Sequence, residues 1–184
     1  HIERTSRSVI VYHAEQTLST VNRLLVAVPK HAEKEHDFIS CFGQIRRLSS
    51  QIGAKVVFFC DEDTREALRV MCRRKGKYLR ASYREMGDWE DVLMMAKEAR
   101  PDDMIVMVSA RQATASYNTL FRQIPDMLER FFAGYSYMIL YPEQTGAAGT
   151  DILLSEQVHT SGVWGFIGLI KRLIEKIIYK IQTR

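Results

Sequence analysis

Four polar side chains that could contact a ligand follow the apolar segment 104–108, and they are Ser109, Arg111, Ser116 and Asn118. Arginine presents a planar fork of N–H donors that suits carboxylates and phosphates, and serine and asparagine can complete such a contact. Arg111 is therefore the candidate for an anion contact, although an isolated arginine often pairs with a nearby carboxylate instead. The segment contains no glycine, which backbone cradling of a phosphate normally needs.

Two groups of side chains resemble metal ligands, one in residues 31–37 and one in residues 61–63. The five-residue spacing of His31 and His36 does not place both imidazoles on one face of a helix, and no other His or Cys is near. A solvated loop explains the first group, and capping of a following helix explains the acids of the second. We therefore predict no metal site and no cofactor.

Catalytic chemistry has little support in the sequence. There is no G-x-S-x-G motif, and Cys41, Cys60 and Cys72 have no obvious neighbouring base. The cysteines are odd in number, far apart and without a C-x-x-C pair, which suits reduced thiols packed in a core. We predict no catalytic residues and a non-enzymatic protein.

The elements that must position these residues alternate between strands and helices. Apolar or alternating segments predict strands at 24–28, 54–60, 78–84, 104–108 and 135–141, and helical spacing predicts helices at 37–51, 65–74, 88–100 and 125–132. Right-handed crossovers then give an α/β fold, a five-stranded parallel sheet with helices on both faces. Ligands of such sheets bind at the carboxyl ends of the strands, where residues 109–118 would lie.

The sequence divides into three parts. Residues 1–21 form an N-terminal linker or a short edge strand around Val9–Tyr12, and residues 22–144 form the α/β domain. The small-residue segment EQTGAAG marks the boundary with residues 145–184, a linker and a C-terminal amphipathic helix.

The C-terminal helix carries an apolar stripe beside basic residues. Its candidate membrane or partner contacts are Trp164, Phe166, Lys171, Arg172 and Lys176. Such a helix could lie on an anionic membrane surface, pack into a groove of a partner, or cover its own domain. The sequence leaves these three alternatives open.

The composition excludes two classes of protein. A net charge of +4 over 184 residues is too mild to predict a nucleic-acid partner. No apolar run reaches the roughly 20 residues that a membrane span needs, and the longest, 162–170, ends at Lys171. The chain begins at His1 rather than Met, which suggests a part of a longer polypeptide.

Three segments carry a resemblance to a known family, and they are NRLLVAVP, DDMIVMVSARQATASYNTLFRQIPDML and YSYMILYPEQ. Residues 22–144 resemble the universal stress protein fold and, more narrowly, the cytoplasmic C-terminal domain of bacterial sodium/proton antiporters. The resemblance implies a regulatory or assembly domain at the cytoplasmic face of the inner membrane. It also implies a transmembrane transport domain in the same polypeptide and a homodimer formed through the last strand or the C-terminal helix.

The sequence departs from the ATP-binding members of that family at two places. They carry an acid at the end of the first strand and a G-x2-G-x9-G-[ST] loop after the fourth. Here Pro29 stands near the first place and SARQATASYN occupies the second, so neither the acid nor the glycines carry over. The alternative is a free-standing nucleotide-binding protein of this fold that uses an atypical loop at 109–118.

Overall fold

The computed structural model describes residues 7–74, 78–112 and 114–143, all within one compact unit that ends at Thr145. These residues form six strands and four α-helices. In chain order they are β1 Val9–His13, β2 Arg23–Ala27, α1 Phe38–Ile52, β3 Lys55–Cys60, α2 Glu62–Cys72, β4 Ala81–Glu85, α3 Met94–Glu98, β5 Asp103–Val108, α4 Ile124–Phe131 and β6 Ser136–Tyr141. Short 3₁₀ turns occupy Leu18–Thr20, Ala32–Lys34, Trp89–Leu93 and Thr119–Gln123.

The strands form one mixed sheet in the order β1-β6-β5-β2-β3-β4. The α/β class is confirmed, but the predicted five-stranded parallel sheet is wrong, because β1 adds a sixth strand antiparallel to β6. Val9 lies opposite Tyr141 and His13 opposite Tyr137, so β1 pairs with the outer edge of β6. An uncovered apolar edge is prone to pairing with other chains, and β1 removes that edge.

Strand β6 consequently has a neighbour on each side, β5 in parallel and β1 antiparallel. Within the described residues, the outer edges of the sheet belong to β1 and β4. The last strand therefore offers no unpaired edge to a second copy. The homodimer stays a prediction, and it would have to use another surface.

The two faces of the sheet are covered by different helices. On one face, α1 and α2 pack over the strands, and the Phe42 ring stacks on Phe58 with centroids 6.4 Å apart. On the other face, Ile124 and Leu128 of α4 are fully buried in one cluster with Trp89. All six residues of β5 are buried because helices cover both faces of this central strand.

The helix ends follow local sequence signals. Gly53 ends α1 at a φ of 71°, a conformation that favours glycine. The Asp61 side chain caps α2 by accepting a hydrogen bond from the Thr64 N–H at 3.3 Å, so α2 begins at Glu62, three residues before its predicted start. The single helix predicted at 88–100 is a 3₁₀ turn followed by a short α3.

A buried ion pair joins β2 and β5 at the amino edge of the sheet. Arg23 donates from Nε and Nη2 to both carboxylate oxygens of Asp103, at 2.8 and 2.6 Å, and the Arg100 N–H donates to the same carboxylate at 2.7 Å. The bond to Asp103 raises the pKa of Arg23. This network lies at the end of the sheet opposite the candidate site.

Candidate functional site

The strand order reverses between β2 and β5, which places a crevice at their carboxyl ends. β3 lies beside β2 on one side, and β6 lies beside β5 on the other, so the chain leaves the two central strands in opposite directions. Ligands of α/β sheets bind at such a reversal. Here the crevice is bordered by residues 28–37 after β2 and by residues 109–118 after β5.

Residues 29–37, called the acidic loop below, close this crevice from the β2 side. Glu33 Oε2 accepts a hydrogen bond from the hydroxyl of Thr64 at 2.8 Å, and Thr64 is fully buried in the first turn of α2. Glu35 Oε1 accepts one from the Ser116 N–H at 2.8 Å. The acidic loop is thereby fastened to the segments that follow β3 and β5.

A third acid of the same loop reaches the segment that follows β6. Asp37 Oδ2 accepts a hydrogen bond from the Glu143 N–H at 2.9 Å. Acids at alternate positions 33, 35 and 37 thus each take a donor from a different neighbouring segment. The acidic loop therefore joins the segments that follow β3, β5 and β6. Hydrogen bonds to an ionised carboxylate are stronger than bonds between neutral groups, which strengthens these links.

Arg111 is buried in this region, with 5% of its surface exposed. Its Nε donates to the carbonyl of Pro142 at 2.8 Å, and its Nη2 donates to the carbonyl of Arg7 at 2.9 Å. The guanidinium also lies 5.7 Å from the centre of the Tyr141 ring. Arg111 therefore ties the segment entering β1 to the segment leaving β6, and its role as an anion contact stays a prediction.

The other three predicted ligand residues lie in the same segment but do different things. The Ser109 N–H donates to the Leu140 carbonyl at 2.8 Å, which extends the ladder between β5 and β6. The Asn118 side chain accepts a bond from the Leu120 N–H at 2.9 Å and so caps the following 3₁₀ turn. Ser116 is buried, and its hydroxyl has no hydrogen-bond partner among the described residues.

The space left at this edge is small. A cavity of about 40 Å³ remains, lined by Glu35, His36, Asp37, Ala110, Arg111, Thr114, Pro142 and Glu143. Sites for small molecules usually measure roughly 300–1,000 Å³. This cavity, formed by described residues alone, has room for about one water molecule.

A larger cavity of about 250 Å³ lies elsewhere, between α4 and the segment that leads to α3. It is lined by Trp89, Glu90, Val92, Leu93, Leu120, Gln123, Asp126, Met127, Arg130 and Phe131. None of the predicted ligand residues lines it. Its lining combines six apolar side chains with the polar residues Glu90, Gln123, Asp126 and Arg130, and its volume lies just below the usual range for small-molecule sites.

The cysteines are unsuited to nucleophilic chemistry. Cys41, Cys60 and Cys72 are free and buried. Burial raises the pKa of all three thiols, and that of Cys60 to about 12. The thiolate is the reactive form of cysteine, and these environments suppress it at neutral pH.

Residues 7–74, 78–112 and 114–143 contain no group of three His, Cys, Asp or Glu side chains placed to hold a metal ion. In the same ranges, no helix has both the length and the apolar composition needed to cross a bilayer. The candidate contacts Trp164, Phe166, Lys171, Arg172 and Lys176 lie outside the described residues.

Sequence reasoning missed the role of the acidic loop. The sequence predicts a solvated loop here, whereas Glu33, Glu35 and Asp37 accept hydrogen bonds from neighbouring segments. The available signal was the alternation of three acids directly after a central strand, at the edge where backbone N–H groups of other segments converge.

Comparison with known proteins gives no assignment. No family model matches the chain, and neither a curated protein nor a solved structure is found to be similar to it.

Proposed function

We propose that the chain is a non-enzymatic cytoplasmic domain that regulates or assembles a membrane cation/proton antiporter. In this proposal the partner is a transmembrane transport domain of the same polypeptide, at the cytoplasmic face of the bacterial inner membrane. The antiporter assignment rests on the sequence resemblance of residues 22–144, and the non-enzymatic part rests on the geometry of the site.

One observation carries the non-enzymatic part of the proposal. At the strand reversal, two donors that could bind an anionic ligand, the Ser116 N–H and the Arg111 guanidinium, already have partners within the chain. Glu35 takes the Ser116 N–H, and Arg111 donates to the carbonyls of Pro142 and Arg7. A nucleotide would have to displace these bonds, whereas an interaction domain benefits from a rigid edge that fixes where its chain enters and leaves.

The test is deletion of residues 22–184 from the polypeptide that carries the chain. Cation-driven proton exchange would be measured in inverted membrane vesicles, with the amount of transporter and its oligomeric state determined in parallel. We expect the deletion to change exchange or oligomerisation. Unchanged exchange, amount and oligomeric state would contradict the proposal.

The alternative is a free-standing nucleotide-binding protein of the same fold, and one feature favours it. The buried Ser116 hydroxyl has no hydrogen-bond partner among the described residues, at the edge where a ligand would bind. The test is thermal unfolding with and without millimolar ATP, ADP, AMP and cyclic nucleotides. A ligand at 100 times its Kd adds about 2.7 kcal/mol to the free energy of unfolding, which is readily detected.

A further inference from the structure

The surface of α1 and α2 combines exposed apolar side chains with arginines. Ile39 is 69% exposed and Val70 is 73% exposed, although both are aliphatic. A groove of about 120 Å³ lies between α1 and the end of α2, lined by Ile39, Phe42, Gly43, Arg46, Met71 and Arg74. The lining contains no acidic side chain.

The segment after α2 extends this surface. The Leu79 N–H donates to the Cys72 carbonyl at 3.0 Å, which keeps the segment against the end of α2. Tyr78 beside it is 73% exposed. The sequence from 73 to 80 reads RRKGKYLR, with five basic residues and no acid. We call the surface formed by Ile39, Arg46, Val70, Arg73, Arg74, Tyr78 and Arg80 the basic face.

Within the described residues, no carboxylate neutralises the arginines of the basic face. Arg46, Arg73, Arg74 and Arg80 make no ion pair among these residues, unlike Arg23, Arg65, Arg69 and Arg84. Arg122 and Arg130 in the segment 119–131 make none among these residues either, so the basic face is distinguished by arginines that lie beside exposed aliphatic side chains. Four unneutralised cations beside exposed aliphatic groups produce a positive field over an apolar surface. Such a surface suits an anionic partner that also accepts apolar side chains.

We propose that the basic face docks on an anionic lipid bilayer. Ile39, Val70 and Tyr78 project outward, so they can enter the boundary between headgroups and acyl chains while the arginines contact the lipid phosphates. Nucleic acid would match the charge but not the aliphatic side chains. This inference rests on the described surface and not on the antiporter assignment.

The experiment measures sedimentation of the 184-residue chain with vesicles of phosphatidylcholine alone and of phosphatidylcholine mixed with phosphatidylglycerol. We expect binding to the anionic vesicles that weakens as salt is added, and little binding to the neutral ones. In R73Q/R74Q we expect affinity to fall about fivefold for each basic residue removed, or roughly 25-fold, and further in R73E/R74E. I39S/V70S should also bind more weakly.

A matched control separates this face from general charge. R122E/R130E changes the net charge as much as R73E/R74E but lies in the segment 119–131, on the other layer of helices. R122E/R130E should bind the anionic vesicles with an affinity within about a factor of two of that of the parent chain at the same salt concentration. A second variant, K171E/R172E/K176E, alters the C-terminal candidates.

Two outcomes would overturn the proposal. One is absence of binding to anionic vesicles. The other is binding that R73E/R74E and I39S/V70S leave unchanged, with K171E/R172E/K176E abolishing it. Circular dichroism would check that each variant is folded. We expect R73E/R74E to fold normally, because Arg73 and Arg74 are exposed. Vesicle binding and transporter deletion are independent measurements, so either proposal can fail alone.

Discussion

The carboxyl edge of the sheet and the basic face both carry arginines, but these arginines differ in burial and in their partners. At the edge, Arg111 is buried and donates to two backbone carbonyls. On the basic face, Arg74 is exposed and makes no ion pair within the described part of the chain. The residue type is the same in both regions. The difference indicates that partners and burial decide whether a charge holds the fold together or is available to another molecule.

The largest expected effect comes from placing a thiol probe in each region. The native cysteines should not react with the reagent in the folded protein, because they are buried and burial raises their pKa. We expect Arg74→Cys to react with a thiol reagent at the rate of a free thiol. Ser109→Cys should react at least about a thousandfold more slowly, because labelling requires an opening that costs on the order of 4 kcal/mol.

The control for the thiol probes is the parent chain, whose labelling in the native state should be negligible and should become complete in denaturant. Equal rates for Ser109→Cys and Arg74→Cys would show that the carboxyl edge opens freely. That result would remove the distinction between the two regions.

A smaller effect is expected when the two arginines are shortened to apolar residues. Arg111→Met removes hydrogen bonds from a charged donor to the carbonyls of Pro142 and Arg7, so we expect the free energy of unfolding to fall by about 3 kcal/mol. Arg74→Met removes no ion pair and should change it by less than about 0.5 kcal/mol. Urea unfolding measures both, and equal losses would contradict the comparison.

The next prediction concerns the acidic loop. Glu35→Ala leaves the Ser116 N–H without its acceptor, and we expect a loss of about 1–2 kcal/mol in the free energy of unfolding. Glu35→Gln keeps an acceptor oxygen and should lose less. Glu129→Ala, at an exposed position of α4, is the matched control and should have almost no effect. A Glu35→Ala variant as stable as the parent would mean that the loop is not fastened through this bond.

Much of the fold could be predicted because its elements depend on local signals. Apolar segments identify four of the five parallel strands, alternation identifies β4 about three residues before its observed start, and Gly53 marks the end of α1. The mixed sheet could not be predicted, because β1 pairs with a strand whose residues lie more than a hundred positions later. A short apolar segment indicates that a strand can form, but not which partner it finds or in which direction.

The position of the candidate site could be predicted from the sequence, but the partners of its side chains could not. The rule that ligands of α/β sheets bind at the carboxyl ends of strands indicated residues 109–118, and Ser109, Arg111, Ser116 and Asn118 do follow β5. Whether Arg111 faces a ligand or a carbonyl depends on residues 7 and 142, which only folding brings together. The same limit applies to Arg73 and Arg74, because only the folded structure shows that they make no ion pair within the described residues.

The smallest expected effect concerns a charge that combines features of both regions. Asp102 is partly exposed, and like the groups at the carboxyl edge it has a partner within the chain, since Asn22 Nδ2 donates to its Oδ2 at 2.6 Å. That bond lowers the pKa of Asp102 in the folded state. Folding therefore favours the ionised form, so the contribution to stability is present above the unfolded pKa of about 3.9 and is lost as pH falls through the folded pKa.

Asn22→Ala removes that donor and should raise the pKa of Asp102 toward its unfolded value, which a carboxyl NMR titration measures directly. The small contribution of Asp102 to the free energy of unfolding should then be missing at pH values above about 3.9, and the stability difference from the parent chain should disappear as pH falls through the folded pKa of Asp102. Asp126→Asn is the control, since Asp126 is an exposed acid of α4. An unchanged Asp102 titration in Asn22→Ala would mean that exposure cancels the effect of a single partner, and burial alone would then separate the carboxyl edge from the basic face.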